Sequence, residues 1–273
     1  MSTTEDHITF GICTGAPGGA LAKALSGAGC DYYEPGVATG VMASSREEFD
    51  ANLAKWAEGG LAPRSANLFL PGDLKVVGPD VNPVRVQAYM AEAIDRARAL
   101  GIGRIVFGSG KAREVPDGFP MEDAYRQLKQ AARWASEADE KAEDGIVICL
   151  EHLRHQETNI MNSLAEAGKI ARELDMANVG LVVDIYHLIE EKEDFGVVQE
   201  VADKVAHVHV CGPDRHPPAK GDEERLASLF EKLAAIGYKG RISIEANFGD
   251  VEAEAPAALA AVRHAAEVAG LAR

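Results

Sequence analysis

The chain has 273 residues, 47% of them hydrophobic, enough for one large core and close to the roughly 250 residues that α/β barrels commonly use. Its 43 acidic residues outnumber 28 basic ones, giving a formal charge of −15 with no basic run to offset it. A phosphate backbone or an anionic membrane attracts the opposite sign, so neither nucleic acid nor membrane is expected as a partner.

From residue 8 onward, short apolar runs alternate with longer helical ones. Residues 8–13 read as a strand ending in TGAPGG, 20–28 as a compact helix and 30–34 (CDYYE) as a second strand. A helix is expected over 45–58, where Ser45 leads SREE and places acids in the first turn. Residues 65–70 (SANLFL) read as a third strand stopped by PGD. A long helix follows over 82–100, with Asn82 as cap, Pro83 in the first position and Gly101 at the end. Residues 104–107 form a fourth strand running into GSG, and 121–144 the longest helix. Strands are then expected at 146–151 (IVICLE), 179–184, 206–210 and 242–245, with helices at 162–174, 195–204, 223–236 and 256–272. Eight strand–helix units with short connections predict an α/β fold, a (β/α)8 TIM barrel occupying 1–273 as a single domain. No GxGxxG follows the first strand, which counts against a dinucleotide-binding half.

The four cysteines (Cys13, Cys30, Cys149, Cys211) show no CxxC spacing, and the N-terminus lacks the basic and apolar regions of a signal peptide. No apolar stretch approaches the roughly 18 residues of a membrane span. A soluble, cytoplasmic protein with reduced thiols is the expectation.

Candidate chemistry gathers at the last four strand ends. IVICLE, VGLVVD, VAHVHV and RISIE each place Glu, Asp or His at or near the end of an apolar run. Such runs suit strands covered on both faces, and an unpaired charge is costly to bury there. Residues two apart share a face of a strand. Val147, Cys149 and Glu151 therefore point one way, as do Arg241, Ser243 and Glu245. If those faces look into the barrel, Glu151 and Glu245 meet across its mouth, with Asp184 and His209 beside them. Three carboxylates and one imidazole suit Mn²⁺, or Mg²⁺ or Co²⁺, better than a closed zinc site. Two coordination positions would remain for adjacent oxygens of a hydroxy-ketone. Longer loops, GSGKAREVPDGFP, HLRHQETNIM, IYHLIEEKED and CGPDRHPPAKGD, fall on the same face.

The pieces CLEHLRHQETN, VVDIYHLIEE, HVHVCGPDRHPPAKG and SIEANF resemble the sugar isomerase/epimerase family with a xylose-isomerase-like barrel, and within it the ketose 3-epimerases and hydroxypyruvate isomerases. The resemblance spans essentially the whole chain. It implies metal ligation by Glu151, Asp184, His209 and Glu245, with Glu151 and Glu245 also acting as the acid/base pair. It implies sugar binding by Glu157, His187 and Arg215, which stand six, three and six residues after Glu151, Asp184 and His209. The implied reaction removes a proton next to a ketone through an enediolate, as an epimerase or isomerase of a ketose or small hydroxy-ketone. Gly-Pro-Asp-Arg at 212–215 departs from the more polar run of the epimerases, which leaves the sugar open.

Several residues have a plainer reading. His207 reads as support one layer below His209, and Glu34 equally as pocket lining or structural pairing. Arg113 in the GSGKAR loop carries only a weak phosphate signal, and the acidic runs 137–144 and 190–194 read as solvated faces. An alternative keeps the site but expels a β-substituent, as a dehydratase or lyase of a keto-sugar or oxidised glycoside. Abasic-site endonucleases share the barrel but need histidines at strands two to four, where this chain reads DYYEPG, LFLPGD and FGSG. A small sugar is the expected partner, with self-association through the outer helices a further expectation.

Overall fold

Eight parallel strands carry the architecture of the computed structural model, which describes residues 7–139 and 145–272. They are β1 (Thr9–Cys13), β2 (Tyr32–Glu34), β3 (Ser65–Ala66), β4 (Arg104–Phe107), β5 (Val147–Glu151), β6 (Val179–Asp184), β7 (Val205–Val210) and β8 (Arg241–Ile244). Hydrogen bonding runs in the order β2-β1-β8-β7-β6-β5-β4-β3. The ends, β2 and β3, are joined beyond Ala66: Asn67 N–H donates to the Pro35 carbonyl at 3.0 Å, and its carbonyl accepts from Val37 N–H at 2.7 Å. The barrel is thus nearly closed, as the strand–helix alternation predicted.

Around it lie α1 (Gly19–Gly27), α2 (Arg46–Ala51), α3 (Pro83–Ala99), α4 (Gly110–Arg113), α5 (Met121–Glu137), α6 (Leu164–Leu174), α7 (Ile185–Glu190), α8 (Val197–Glu200), α9 (Glu223–Ala235) and α10 (Val251–Val268). The period of two along each strand divides the core. Ile148, Leu150, Leu181, Val183, Ile242 and Ile244 belong to the apolar layer beneath the helices. Each such side chain contributes about 1.5–3 kcal/mol on burial. Val106, Cys149 and Val182 form a separate small cluster on the opposite face, inside the barrel. No helix among the described residues is long and apolar enough to cross a membrane. All four cysteines are free thiols.

Several boundaries differ from expectation for local reasons. β3 holds two residues rather than six because Leu68 turns into the left-handed region at φ 48°. Ser45 closes a capping box with Glu48, but the helix it starts ends at Ala51 and continues as a kinked 3₁₀ stretch, Leu53–Gly60. Pro256 does not open the last helix: α10 begins at Val251 with Asp250 as its cap. The proline sits one turn inside, where Glu252 loses its hydrogen-bond donor. The helix expected over 195–204 is the single turn α8, whereas the IYHLIE stretch read as loop is α7. The helix expected over 121–144 ends at Glu137 with Ala138 as its cap, and residues 140–144 lie outside the described residues.

The acidic runs are also less solvated than expected. Asp139 is buried and pairs with Arg98 and the Ile146 amide. Glu193 accepts from Leu164 N–H at 2.8 Å and Ala165 N–H at 3.2 Å, closing the start of α6. Glu190 holds Arg154 at 3.0 Å. These carboxylates accept from backbone amides or pair with arginines.

Candidate metal centre

The parallel register sets the site. Asp184 pairs with His209 across β6 and β7, and Glu151 stands opposite Val182 across β5 and β6. Glu245 follows β8 and keeps the ladder through its amide, which donates to the Val210 carbonyl at 2.9 Å. The four side chains converge at the C-terminal rim, each offering one ligand-type atom within 4.8 Å of the others. His209 Nδ1 lies 3.4 Å from Glu151 Oε1, 3.6 Å from Glu245 Oε2 and 3.9 Å from Asp184 Oδ2.

Those same four atoms are buried and make no hydrogen bond, although Arg215 approaches Glu245 Oε2 as an ion pair at 3.1 Å. Buried polar atoms are ordinarily satisfied, so four orphans facing one point are a strong feature. Their other halves are held. Asp184 caps α7, its Oδ1 accepting from Tyr186 N–H at 2.7 Å and leaving Oδ2 for the centre. Glu245 Oε1 accepts from Asn67 Nδ2 at 3.2 Å. Glu34 receives His207 Nε2 at 2.8 Å, His209 Nε2 at 3.0 Å and Ser243 Oγ at 2.5 Å. A carboxylate can only accept, so Nε2 of both imidazoles carries hydrogen. Nδ1 of His209 is then the nitrogen turned to the rim.

Charge inside the cluster is strongly perturbed. Burial raises the Glu151 carboxyl above its usual range against the pull of His209, with Glu245 pushing the same way. Asp184 is pushed up to about 6 by burial and by Glu245, with Arg215 and His209 opposing. Glu245 goes the other way: burial would raise it, but His209 and Arg215 bring it down to about 2. Burial also works against the charge on His209, yet Glu34 and Glu245 outweigh it and the ring is raised well above 6.5. One oxygen-rich set with a single nitrogen fits a hard divalent cation. Orphaned atoms and like charges pressed together both favour that occupant.

The three sugar-binding candidates are placed unequally. His187 is fully buried on α7, its Nδ1 accepting from Arg154 N–H at 3.2 Å and its Nε2 3.7 Å from Asp184 Oδ2. Its Nε2 also faces Arg215 Nη2 at 3.1 Å, so donors approach both ring nitrogens, and the ring, kept neutral by burial that lowers its pKa, can accept from only one of them at a time. Arg215 reaches in from the loop after β7, 3.1 Å from Glu245 Oε2 and 3.7 Å from Asp184 Oδ2. Both Asp214 and Arg215 take positive φ there, 53° and 58°. Glu157 does not touch the cluster; its Oε1 pairs with Arg154 Nε at 2.9 Å.

Residues that the motifs did not single out complete the setting. Tyr186 lies between two guanidinium groups, with Arg154 Cζ 4.9 Å and Arg215 Cζ 4.6 Å from its ring centroid. Asn67 and Ser243 anchor Glu245 and Glu34. No local signal marks Asn67, whose role arises only when β3 and β8 are brought across the barrel. Glu34 did carry a signal, a carboxylate at a strand end, and structural pairing proves to be its arrangement. His207 supports from below, as expected.

A family model described as a xylose isomerase-like TIM barrel matches residues 23–267. The chain belongs to that family. Among curated members, it is 32% identical over 138 residues to a 3-dehydro-D-guloside 4-epimerase of Escherichia coli strain K12, a match covering 50% of this chain and 48% of that one. It is 29% identical over 205 residues to a ketose 3-epimerase of Arthrobacter globiformis, covering 72% and 68%. The chain thus spans about half the length of the first relative and about two thirds of the second. Among solved structures, a D-allulose 3-epimerase from Methylomonas sp., in complex with D-allulose, superposes with a TM-score of 0.76 at 22% identity, covering 97% and 99%. At that identity the likeness speaks for the fold.

Proposed function

We propose that this family member is a divalent-metal-dependent sugar epimerase that inverts a carbon next to a ketone, with Mn²⁺ as the preferred ion and Mg²⁺ or Co²⁺ as substitutes. The observation that carries the reading is the set of four orphaned atoms from Glu151, Asp184, His209 and Glu245 at one rim. The relatives' names supply the substrate class. A ketose 3-epimerase acts beside a C2 ketone and a 3-dehydro-glycoside 4-epimerase beside a C3 ketone, so both invert a carbon α to a carbonyl.

Glu151, Asp184, His209 and Glu245 would hold the ion, which would polarise the ketone and stabilise negative charge developing on its oxygen. Glu151 and Glu245 extend from different strands, so the sugar carbon can lie between their carboxyls. One removes the proton and the other returns one on the opposite face. A positioned base of this kind contributes about 10²–10⁴-fold. The Arg215 guanidinium donates to sugar oxygens, and the His187 ring it touches at 3.1 Å offers Nε2 beside it. Glu157 accepts through the oxygen that Arg154 leaves unused. Tyr186 offers an apolar ring beside them.

The test is a panel of ketoses and 3-keto-glycosides in D₂O with Mn²⁺, followed by NMR. Deuterium entering the inverted position of an epimeric product supports the reading. Loss of a β-substituent would instead identify the elimination alternative. No exchange on any member would remove proton transfer altogether.

A further inference from the structure

Arg215 is placed as a rival of the cation at the rim. Its Nη2 stands 3.1 Å from Glu245 Oε2 and 3.7 Å from Asp184 Oδ2. Those are the oxygens that the two carboxylates turn to the centre, their other oxygens being held by Asn67 Nδ2 and the Tyr186 amide. The guanidinium and a divalent ion thus claim the same negative atoms, and two cations on shared ligands repel. Burial works against the Arg215 charge, but Glu245 and Asp184 outweigh it and raise its pKa.

The backbone beneath the arginine is fixed. Asp214 and Arg215 hold positive φ, 53° and 58°, and the Arg215 carbonyl accepts from Asn247 N–H at 2.7 Å, tying the loop after β7 to that after β8. Left-handed positions are costly for residues other than glycine and persist where the surroundings impose them. Any change of place therefore belongs to the side chain. A second seat adjoins the first: Cζ lies 4.6 Å from the Tyr186 ring centroid, and a ring face attracts a guanidinium without a carboxylate. The seat on the carboxylates leaves Nε, a buried donor, unbonded. It also sets Nη2 3.1 Å from His187 Nε2, which can accept only if the Arg154 N–H gives up Nδ1. A sugar oxygen suits these donors better.

Resting on the metal centre proposed above, we infer that Arg215 is a resident counter-cation. It compensates Glu245 Oε2 and Asp184 Oδ2 until a divalent ion takes them, then keeps its stacking on Tyr186 and turns its N–H groups to the sugar. Loading of the ion releases the arginine for sugar, and the arginine in turn weakens the hold on the ion.

The measurement is calorimetric titration of the chelator-treated protein with Mn²⁺ at pH 8. Arg215→Met removes the charge but keeps a side chain that can lie on Tyr186, and it should bind Mn²⁺ about tenfold tighter or more. Arg215→Lys keeps the charge and should stay nearer the parent. Treated with chelator, the Arg215→Met protein should melt below the parent, because its buried carboxylates lose a cation, and Mn²⁺ should close that gap. In Mn²⁺-soaked crystals of the parent, the distance from Arg215 Nη2 to Glu245 Oε2 should lengthen beyond ion-pair range, about 4 Å. Should Arg215→Met not fold, Arg215→Gln carries the same expectation. Equal or weaker Mn²⁺ affinity in the variant without the charge, with the parent binding, would overturn the role of the arginine and leave the centre standing. No Mn²⁺ uptake by the parent would sink both.

Discussion

Each ligand candidate has one side of its polar group fixed and the other side free. Glu245 is anchored by Asn67 through Oε1, and Oε2 looks into the site. Glu245→Gln keeps that anchor and the volume but removes the base and a negative ligand. Turnover should fall by about 10²–10⁴-fold or more, with an unchanged circular dichroism spectrum; full activity would take Glu245 out of the chemistry. Asp184 permits a cleaner electrostatic test. Its folded carboxyl titrates at about 6, against about 3.9 in an unfolded chain. The folded form therefore binds the proton more tightly. That stabilisation is complete below about pH 4 and lost as pH rises through about 6. Asparagine at this position retains the oxygen that caps α7 and does not titrate. In the presence of chelator, Asp184→Asn should melt near the parent protein at about pH 4 and progressively above it towards about pH 7. An offset that stays constant with pH would rule out this origin.

At the scale of elements, the strand ends do the placing and the loops approach very closely. Gly108, just past β4, has no room for a side chain, because a Cβ there would collide with Glu151 Oε2. Gly108→Ala should displace that carboxylate and weaken Mn²⁺ binding by about tenfold or more, equivalent to about 1.4 kcal/mol, as read by calorimetric titration. Wild-type affinity would show that Glu151 is not fixed from this side. The last four strands were legible in the sequence because continuous apolar runs are hard to mistake and their polar ends stand out. β3 was overextended because SANLFL has strand composition while its turn at Leu68 depends on contacts outside the stretch. α7 was missed because a six-residue helix capped by a site residue carries too short a pattern. Asn67 and Tyr186 were invisible for the same reason: each acts on partners far away in the chain or in another loop.

Across the molecule, three carboxylates are crowded into one rim of a chain that is already strongly acidic. A cation bound there relieves repulsion in the folded state and finds no such arrangement in the unfolded one. Chelation should therefore abolish turnover and lower the melting temperature, with Mn²⁺ restoring both. At a free concentration 100 times its Kd, a single site contributes about 2.7 kcal/mol. A melting temperature indifferent to Mn²⁺ at millimolar levels would argue against the centre. The fold, by comparison, gathers stability from the apolar layer outside the barrel and should survive metal removal.

All four rim donors come from the second half of the barrel, β5 to β8, whereas the first half contributes Glu34 and Asn67 as braces. The proposed sugar contacts Glu157, His187 and Arg215 hang from the segments of that same half, so proton handling and sugar choice are tied together there. Grafts confined to the segments after β1, β2 and β3, with Glu34 and Asn67 kept, should therefore leave metal binding in place.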